Sequence, residues 1–245
     1  MLSMAARRVE WSFLGSVAYA EGVRLQEAVR QQVRTGSGPE RLLLLEHPPV
    51  FTLGRNAGER EIVAPPEWLA ARGIDVHETD RGGQATYHGP GQLVGYPILN
   101  LSPDRRDVRR YVGDLCAVLV ETLAGLGVAA AARPSPHVGV WVGEEKIASL
   151  GVHLSRWITT HGFALNVTTD VAAFAGIVPC GLPGIALTSI ERITGVAWPL
   201  GEVARRLVPT FASRFERELV ERAPPAELLA AGGATQPGVA VAAGE

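Results

Sequence analysis

Of the 23 basic residues in this 245-residue chain, 22 are arginine and one, Lys146, is lysine. The two side chains are not interchangeable in chemistry, because a guanidinium stays protonated whereas an amine can lose its proton and act as a base. A nucleophile that would use such a base is present. Cys180 lies in Ile177-Val178-Pro179-Cys180-Gly181-Leu182-Pro183-Gly184, where proline and glycine preclude regular structure and small neighbours leave a thiol approachable. A thiol is mostly protonated at neutral pH, its unperturbed pKa being about 8.5, so a reactive cysteine needs a nearby cation or base. The N–H of Gly181 is also placed to stabilise an oxyanion. A small apolar side chain in a turn explains the same loop, since free cysteine is among the most buried residue types. Cys116 differs: it falls at helical spacing from Val112, Leu119 and Leu123, as a core residue would.

Two further segments are rich in groups that could meet a ligand. From Asp80 to Gln92 the chain reads Asp-Arg-Gly-Gly-Gln-Ala-Thr-Tyr-His-Gly-Pro-Gly-Gln, in which glycines permit close backbone approach and Arg81, Thr86, Tyr87 and His88 offer donors and an aromatic wall. A long turn between strands explains the same composition. It is not a nucleotide phosphate loop, because no G-x-x-x-x-G-K-[ST] is present. In His161 to Val167, Gly162 and Ala164 leave one strand face thin, which suits either a slot for an extended apolar ligand or a closely packed helix.

The elements that must carry these residues alternate between helix and strand. Tyr19–Arg34 places Leu25, Ala28, Val29 and Val33 at helical spacing, with Gly36 as a stop. Leu42–Leu45 and Val50–Leu53 read as short strands divided by Pro48-Pro49, and Gly91–Leu101 as an extended segment. Ser102-Pro103 reads as the start of a helix whose apolar stripe runs from Val108 to Leu126. Val138, Val140 and Val142 alternate, Gly143-Glu144-Glu145 turns, and a second strand runs from Lys146 towards Leu154. Lys146 has the parity of Ala148, Leu150, Val152 and Leu154, so the only lysine points to the apolar side. A buried lysine is rare without a task. Gly201–Arg222 reads as a helix kinked or split at Pro209.

A net charge of −2, 20% charged and 47% hydrophobic residues exclude a disordered chain and a basic nucleic-acid binder. No apolar run approaches the roughly 18 residues of a membrane span, and Met1–Trp11 does not read as a signal peptide. Two cysteines without C-x-x-C spacing and six scattered histidines predict no disulfide framework and no metal site. The pattern predicts one mixed α/β, or α+β, domain over residues 1–222, followed by a flexible Ala/Gly/Pro-rich tail over 223–245.

Glu46-His47-Pro48-Pro49-Val50-Phe51-Thr52-Leu53-Gly54, Arg81-Gly82-Gly83 through Pro97, Lys146-Ile147-Ala148-Ser149-Leu150-Gly151, His161-Gly162-Phe163-Ala164-Leu165-Asn166 and Pro179-Cys180-Gly181 together resemble the octanoyltransferases of lipoate biosynthesis. The resemblance implies a fold like that of biotin and lipoate protein ligases, a mixed sheet packed with helices. It implies transfer of an octanoyl group from octanoyl-acyl carrier protein to a lysine of lipoyl domains, those of 2-oxoacid dehydrogenase complexes and of the glycine cleavage H protein. No cofactor is expected, and the charge, the absence of a long apolar run and the N-terminal composition lead to the expectation of no nucleic-acid or membrane partner and of a cytoplasmic location. The family's catalytic pair falls on Cys180 and Lys146. Its substrate-binding positions fall on Arg81, Gly82, Gly83, Gln84, Ala85, Thr86, Tyr87 and His88, on Ser149, Leu150 and Gly151, and on Gly162, Phe163 and Ala164. Arg105-Arg106 with Arg109-Arg110 would offer acidic carriers a docking site, or form a solvated helix face. An ATP-dependent ligase on the same scaffold, a non-catalytic acyl-binding protein and a cysteine hydrolase using His88 or His161 are the competing readings.

Overall fold

A computed structural model describes residues 7–58, 61–102, 104–181 and 184–223, with Cys180 described by its backbone alone. The chain runs β1 (Arg7–Ser16), α1 (Tyr19–Thr35), β2 (Glu40–Glu46), β3 (Val50–Leu53), α2 (Pro66–Ala71), β4 (Asp75–Glu78), β5 (Ala85–His88), β6 (Gln92–Ile98), α3 (Val108–Ala124), β7 (Ala131–Arg133), β8 (Gly139–Val142), β9 (Glu145–Ser155) and β10 (Ile158–Asn166). Two 3-10 turns, Val171–Gly176 and Pro179–Gly181, lead to β11 (Ala186–Leu187), α4 (Ile190–Thr194), α5 (Leu200–Phe215) and β12 (Arg217–Glu221).

The main sheet is mixed, in the order β12-β1-β2-β6-β10-β9-β8-β7, with β11 added in parallel beside β9. A second sheet of three strands runs β4-β3-β5. The four consecutive leucines of β2 explain the layering. Leu42 and Leu44 pack with Leu115, Leu119, Leu207 and Phe211 of α3 and α5, while Leu43 and Leu45 pack with Leu25 and Val29 of α1. A strand covered on both faces has no polar alternation, so its sequence is a continuous apolar run. Each such leucine contributes about 1.5–3 kcal/mol on leaving water.

The expected helix at Tyr19 ends where Gly36 adopts a left-handed conformation, φ 72°, and its N–H caps the carbonyls of Gln32 and Val33. Four local expectations change. The N-terminal segment read only as non-signal is strand β1, parallel to β2. Helix α3 starts not at Ser102 but after Asp107, whose carboxylate accepts from the Arg110 N–H at 3.0 Å. Pro209 lies inside an unbroken α5. That helix stops at Phe215, where Glu216 turns left-handed at φ 54°, and Leu219 stands on β12 rather than on a helical stripe. The reason is tertiary: β1 offers an open edge, and residues 217–221 pair with it from Arg7 to Trp11. The proposed tail lies outside the described residues, apart from its first residue, Ala223.

Candidate active site

Lys146 is buried, 2% exposed, but not by simple alternation along β9. The pairing with β8 shifts between Val140 and Trp141, so Ala148 stands opposite Val140 while Lys146 stands opposite Trp141, and the parity expected from the sequence does not hold across residues 146–148. The β8–β9 hairpin makes room for it: a Cβ on Gly139 would collide with Lys146 Cε and lie 2.8 Å from the Ala148 carbonyl oxygen. Trp141 stands opposite Lys146 in the register, with the ammonium nitrogen 5.7 Å from its ring centre. The segment that follows the Cys180 turn reaches the same place. Leu187 pairs in parallel with Lys146, and the Thr188 N–H donates to the Lys146 carbonyl at 3.1 Å.

The turn itself is tied down on its near side. Ile62 and Ile177 form an isolated bridge, the Val178 N–H donates to the Glu61 carbonyl at 2.8 Å, and the Glu61 carboxylate accepts from the Ala85 N–H at 2.5 Å. Gly181, φ 63°, lies so close to the Gln84 side chain that a Cβ there would overlap it. Its left-handed backbone favours glycine beside Cys180, and a larger residue would also have to displace the end of the Gln84 side chain.

A cavity of about 510 Å³ opens beside Lys146 and Gln84. Arg81 through Thr86, His88, Lys146, Ser149 through Gly151 and Gly162 through Ala164 all line it. Sequence segments some 80 residues apart thus line one cavity. Tyr87 is the exception in its run. Residues 85–88 form a strand, so Tyr87 points the opposite way from Thr86 and His88 and packs edge-on against Phe51 and Phe174. Gly162 does not open a slot on both sides, since a Cβ there would meet the Gly95 carbonyl and lie 2.6 Å from Pro97 Cδ. Gly95 in turn gives up its side-chain space to the ring of its register partner Phe163. Asn56, Val94, Tyr96, Val112, Ser135, Pro136, Val138, Val152 and His161 complete the lining. Of these, Val152 was readable from β9 parity.

The 81–84 loop is fixed by hydrogen bonds rather than by regular structure. The Gly82 N–H donates to Val152 at 2.9 Å, while the Arg81 and Gly83 carbonyls accept from Arg55 and Asn56 at 3.0 and 3.2 Å. Arg81 itself is buried, and its guanidinium donates to the carbonyl and hydroxyl oxygens of Thr52, both at 2.7 Å.

One wall of the cavity is built of rings, with the Arg81 guanidinium near enough to act on them. His88, Tyr96 and His161 line it, with His47 and Tyr19 behind: His47 Nδ1–H donates to the Val17 carbonyl at 2.6 Å, and its Nε2 accepts from the Tyr96 hydroxyl at 2.7 Å. Burial lowers the His47 pKa to about 4, against a hydrogen bond to Val17 that acts the other way. Burial and the neighbouring His47 push His88 well below its ordinary value, and burial raises Tyr96 well above its own. His161 is lowered by burial despite its 2.9 Å contact with the Asp80 carboxylate. Neutral imidazoles make a wall that an alkyl chain can touch without desolvating a cation.

Cys116 takes the core position expected of it. It is 4% exposed on α3, and burial pushes its thiol up to about 11 even though the Lys146 ammonium acts to lower it. The arginine cluster, by contrast, is not one basic face. Arg105 is buried, its guanidinium bonded to Asp114 and to the Arg214 carbonyl, while Arg106 donates to the Ser102 hydroxyl at 2.6 Å. Among the described residues, no group of three His, Cys, Asp or Glu side chains could hold a metal ion, and no helix is long and apolar enough to cross a membrane.

Residues 18–212 match the lipoyl protein ligase A/B catalytic domain family. The chain belongs to that family. Within it, an octanoyltransferase of Myxococcus xanthus is 49% identical over 218 residues, covering 86% of this chain and 61% of that protein. An octanoyltransferase of Solibacter usitatus is 48% identical over 218 residues, covering 89% of this chain and 96% of that protein. This chain is thus a member of an acyltransferase group. A crystal structure of lipoate-protein ligase A bound with ATP superimposes with a TM-score of 0.76 at 18% identity, over 92% of each chain, which establishes the expected mixed-sheet ligase fold.

Proposed function

We propose that the chain transfers the octanoyl group of octanoyl-acyl carrier protein to a lysine of lipoyl domains, including those of 2-oxoacid dehydrogenase complexes and the glycine cleavage H protein, through a thioester on Cys180. The observation that carries this reading is that buried Lys146 and the glycine-rich 81–84 loop line one cavity while both flanks of the Cys180 turn touch those parts, Gly181 against the Gln84 side chain and Leu187-Thr188 against Lys146. The 48–49% relatives named octanoyltransferase supply the acyl group.

In the first half-reaction the Cys180 thiolate attacks the donor thioester carbonyl. Lys146 holds the proton given up by the Cys180 thiol. As the bond to the carrier's phosphopantetheine sulfur breaks, that sulfur takes the proton from Lys146 and leaves as a thiol, so one thioester replaces another and Lys146 is left neutral for the second step. In the second, the acceptor amine attacks the acyl-enzyme, its proton passes to Lys146, and the Cys180 sulfur leaves as an amide forms. Amide formation makes this step downhill. The 81–86 and 149–151 segments bind the acyl group's polar end, and Val94, Leu150, Phe163 and Ala164 receive the alkyl chain. Tyr87 serves from behind, by packing β5. Each methylene buried contributes about 0.8 kcal/mol, so loss of two carbons should weaken acyl transfer roughly 15-fold. We place the reaction in the cytoplasm, where a reducing milieu keeps a nucleophilic thiol free.

Incubation with octanoyl-acyl carrier protein, without ATP or acceptor, tests the covalent step by intact-mass spectrometry. The wild type should gain one octanoyl group and Cys180→Ala none. Transfer by Cys180→Ala at the wild-type rate, or transfer that requires ATP, would exclude the proposed route.

A further inference from the structure

A chain of buried amides joins the cavity to the backbone behind the Cys180 turn, and its direction can be worked out atom by atom. Gln92 and Asn166 are register partners on β6 and β10, so their side chains leave the sheet together. The Gln92 amide nitrogen donates to the Tyr87 carbonyl at 3.2 Å and to Asn166 Oδ1 at 3.0 Å, which uses both of its hydrogens. The Asn166 amide nitrogen donates to the Thr188 carbonyl at 3.0 Å. Neither amide can be turned over, because each would then face a carbonyl oxygen with an oxygen of its own. Gln92 Oε1 is left for His88 Nδ1, 2.7 Å away, and an amide oxygen only accepts. His88 is therefore protonated on Nδ1, and its Nε2 is an acceptor. At the other end, Thr188 donates to the carbonyl of Lys146. His88, Gln92, Asn166, Thr188 and Lys146 are all buried, so a lost partner leaves a desolvated polar group.

We propose that Asn166 and Gln92 are positioning residues: they set the His88 tautomer and dock residues 186–188, the far anchor of the Cys180 turn, against the strand that carries Lys146. The proposal rests on the octanoyl-transfer reading for its kinetic consequence, and on geometry alone for the tautomer. Asn166 is the centre of the device, since it alone touches both Gln92 and the anchor. A carboxylate in its place would still accept from Gln92 but would set an anionic oxygen against the Thr188 carbonyl. A protonated carboxyl would restore the missing donor.

Three measurements decide it. With 15N-labelled histidine in the wild-type chain, the His88 ring should appear neutral with its proton on Nδ1. A proton on Nε2 would overturn the assignment with no substitution made. Asn166→Ala should acylate Cys180 roughly 10- to 100-fold more slowly from octanoyl-acyl carrier protein, the effect expected on losing a buried hydrogen-bonded partner, with KM for the donor changed less than kcat. An unchanged acylation rate would refute the docking role. In Asn166→Asp the rate relative to wild type should rise as pH falls and the carboxyl takes up its proton, and a ratio flat with pH would count against the relay. Wild type that fails to acylate at all would instead sink the octanoyl-transfer reading, while the tautomer measurement would stand or fall separately.

Discussion

Cys116 and Cys180 are the same residue in opposite settings. Cys116 stands on the third turn of α3 among Leu115, Leu119 and Leu123, and the low-polarity surroundings hold its thiol neutral, with a pKa near 11. Cys180 sits in a three-residue 3-10 turn between a proline and a left-handed glycine, with anchors at Val178 and Thr188. Lys146 is within electrostatic reach of Cys116 and still does not offset its burial. A cation nearby is thus insufficient to make a thiol reactive. The irregular backbone at Cys180 does not by itself leave the Gly181 N–H for an oxyanion, as the sequence suggested: that N–H donates to the Val178 carbonyl at 3.2 Å, closing the turn.

The largest test of that contrast is Lys146→Arg, which keeps the charge and removes the titratable amine. Octanoyl transfer to a lipoyl domain should fall by about 10²–10⁴-fold, the usual contribution of a general base, and a rate within threefold of wild type would mean that charge alone suffices. Gly139→Ala comes next. Its Cβ would press on Lys146 and the Ala148 carbonyl, so transfer should fall about tenfold and unfolding stability by roughly 1–3 kcal/mol, read by denaturant titration.

Smaller effects separate buried neutral groups by the direction of their pH dependence. His47 is neutral in the folded chain down to about pH 4, while in the unfolded chain it takes up a proton near 6.5. Acid therefore favours unfolding between those values, and His47→Gln should show a shallower loss of stability from pH 6.5 to 4 in urea titrations. For Cys116 the sign is reversed. Its thiol ionises near 9.0 when unfolded and near 11 when folded, so stability should decline as pH rises from 9 to 11, by at most about 2–3 kcal/mol. Subtracting the melting curve of Cys116→Ala isolates that contribution, and no difference in slope would mean that the thiol is not held neutral.

Composition marks Lys146 as the one lysine of the chain, and the Pro-Cys-Gly run announces the irregular backbone that is a 3-10 turn at residues 179–181. The burial of Lys146 agrees with expectation, but its cause does not, because the β8–β9 pairing shifts between Val140 and Trp141 and breaks the alternation on which the expectation rested. What escaped was set by distant partners. Asp107 rather than Ser102 caps α3 because a turn precedes the helix, in which the Arg105 N–H bonds to the Leu101 carbonyl and the Asp107 N–H to the Arg105 carbonyl. Arg105 looked like surface charge and is buried because Asp114 and the Arg214 carbonyl complete its hydrogen bonds. Leu219 kept helical spacing from Phe215, yet the open edge of β1 drew its segment into a strand.

By itself the sequence determined the chemistry available to this protein: one amine able to titrate, one thiol on a broken backbone, and glycines where nothing larger fits. Only the tertiary structure decided which groups share a cavity, which histidines are neutral and which amide faces which carbonyl. Those outcomes depend on burial and on hydrogen-bond partners some 20 to 80 residues apart, and neither quantity has a signature in local spacing.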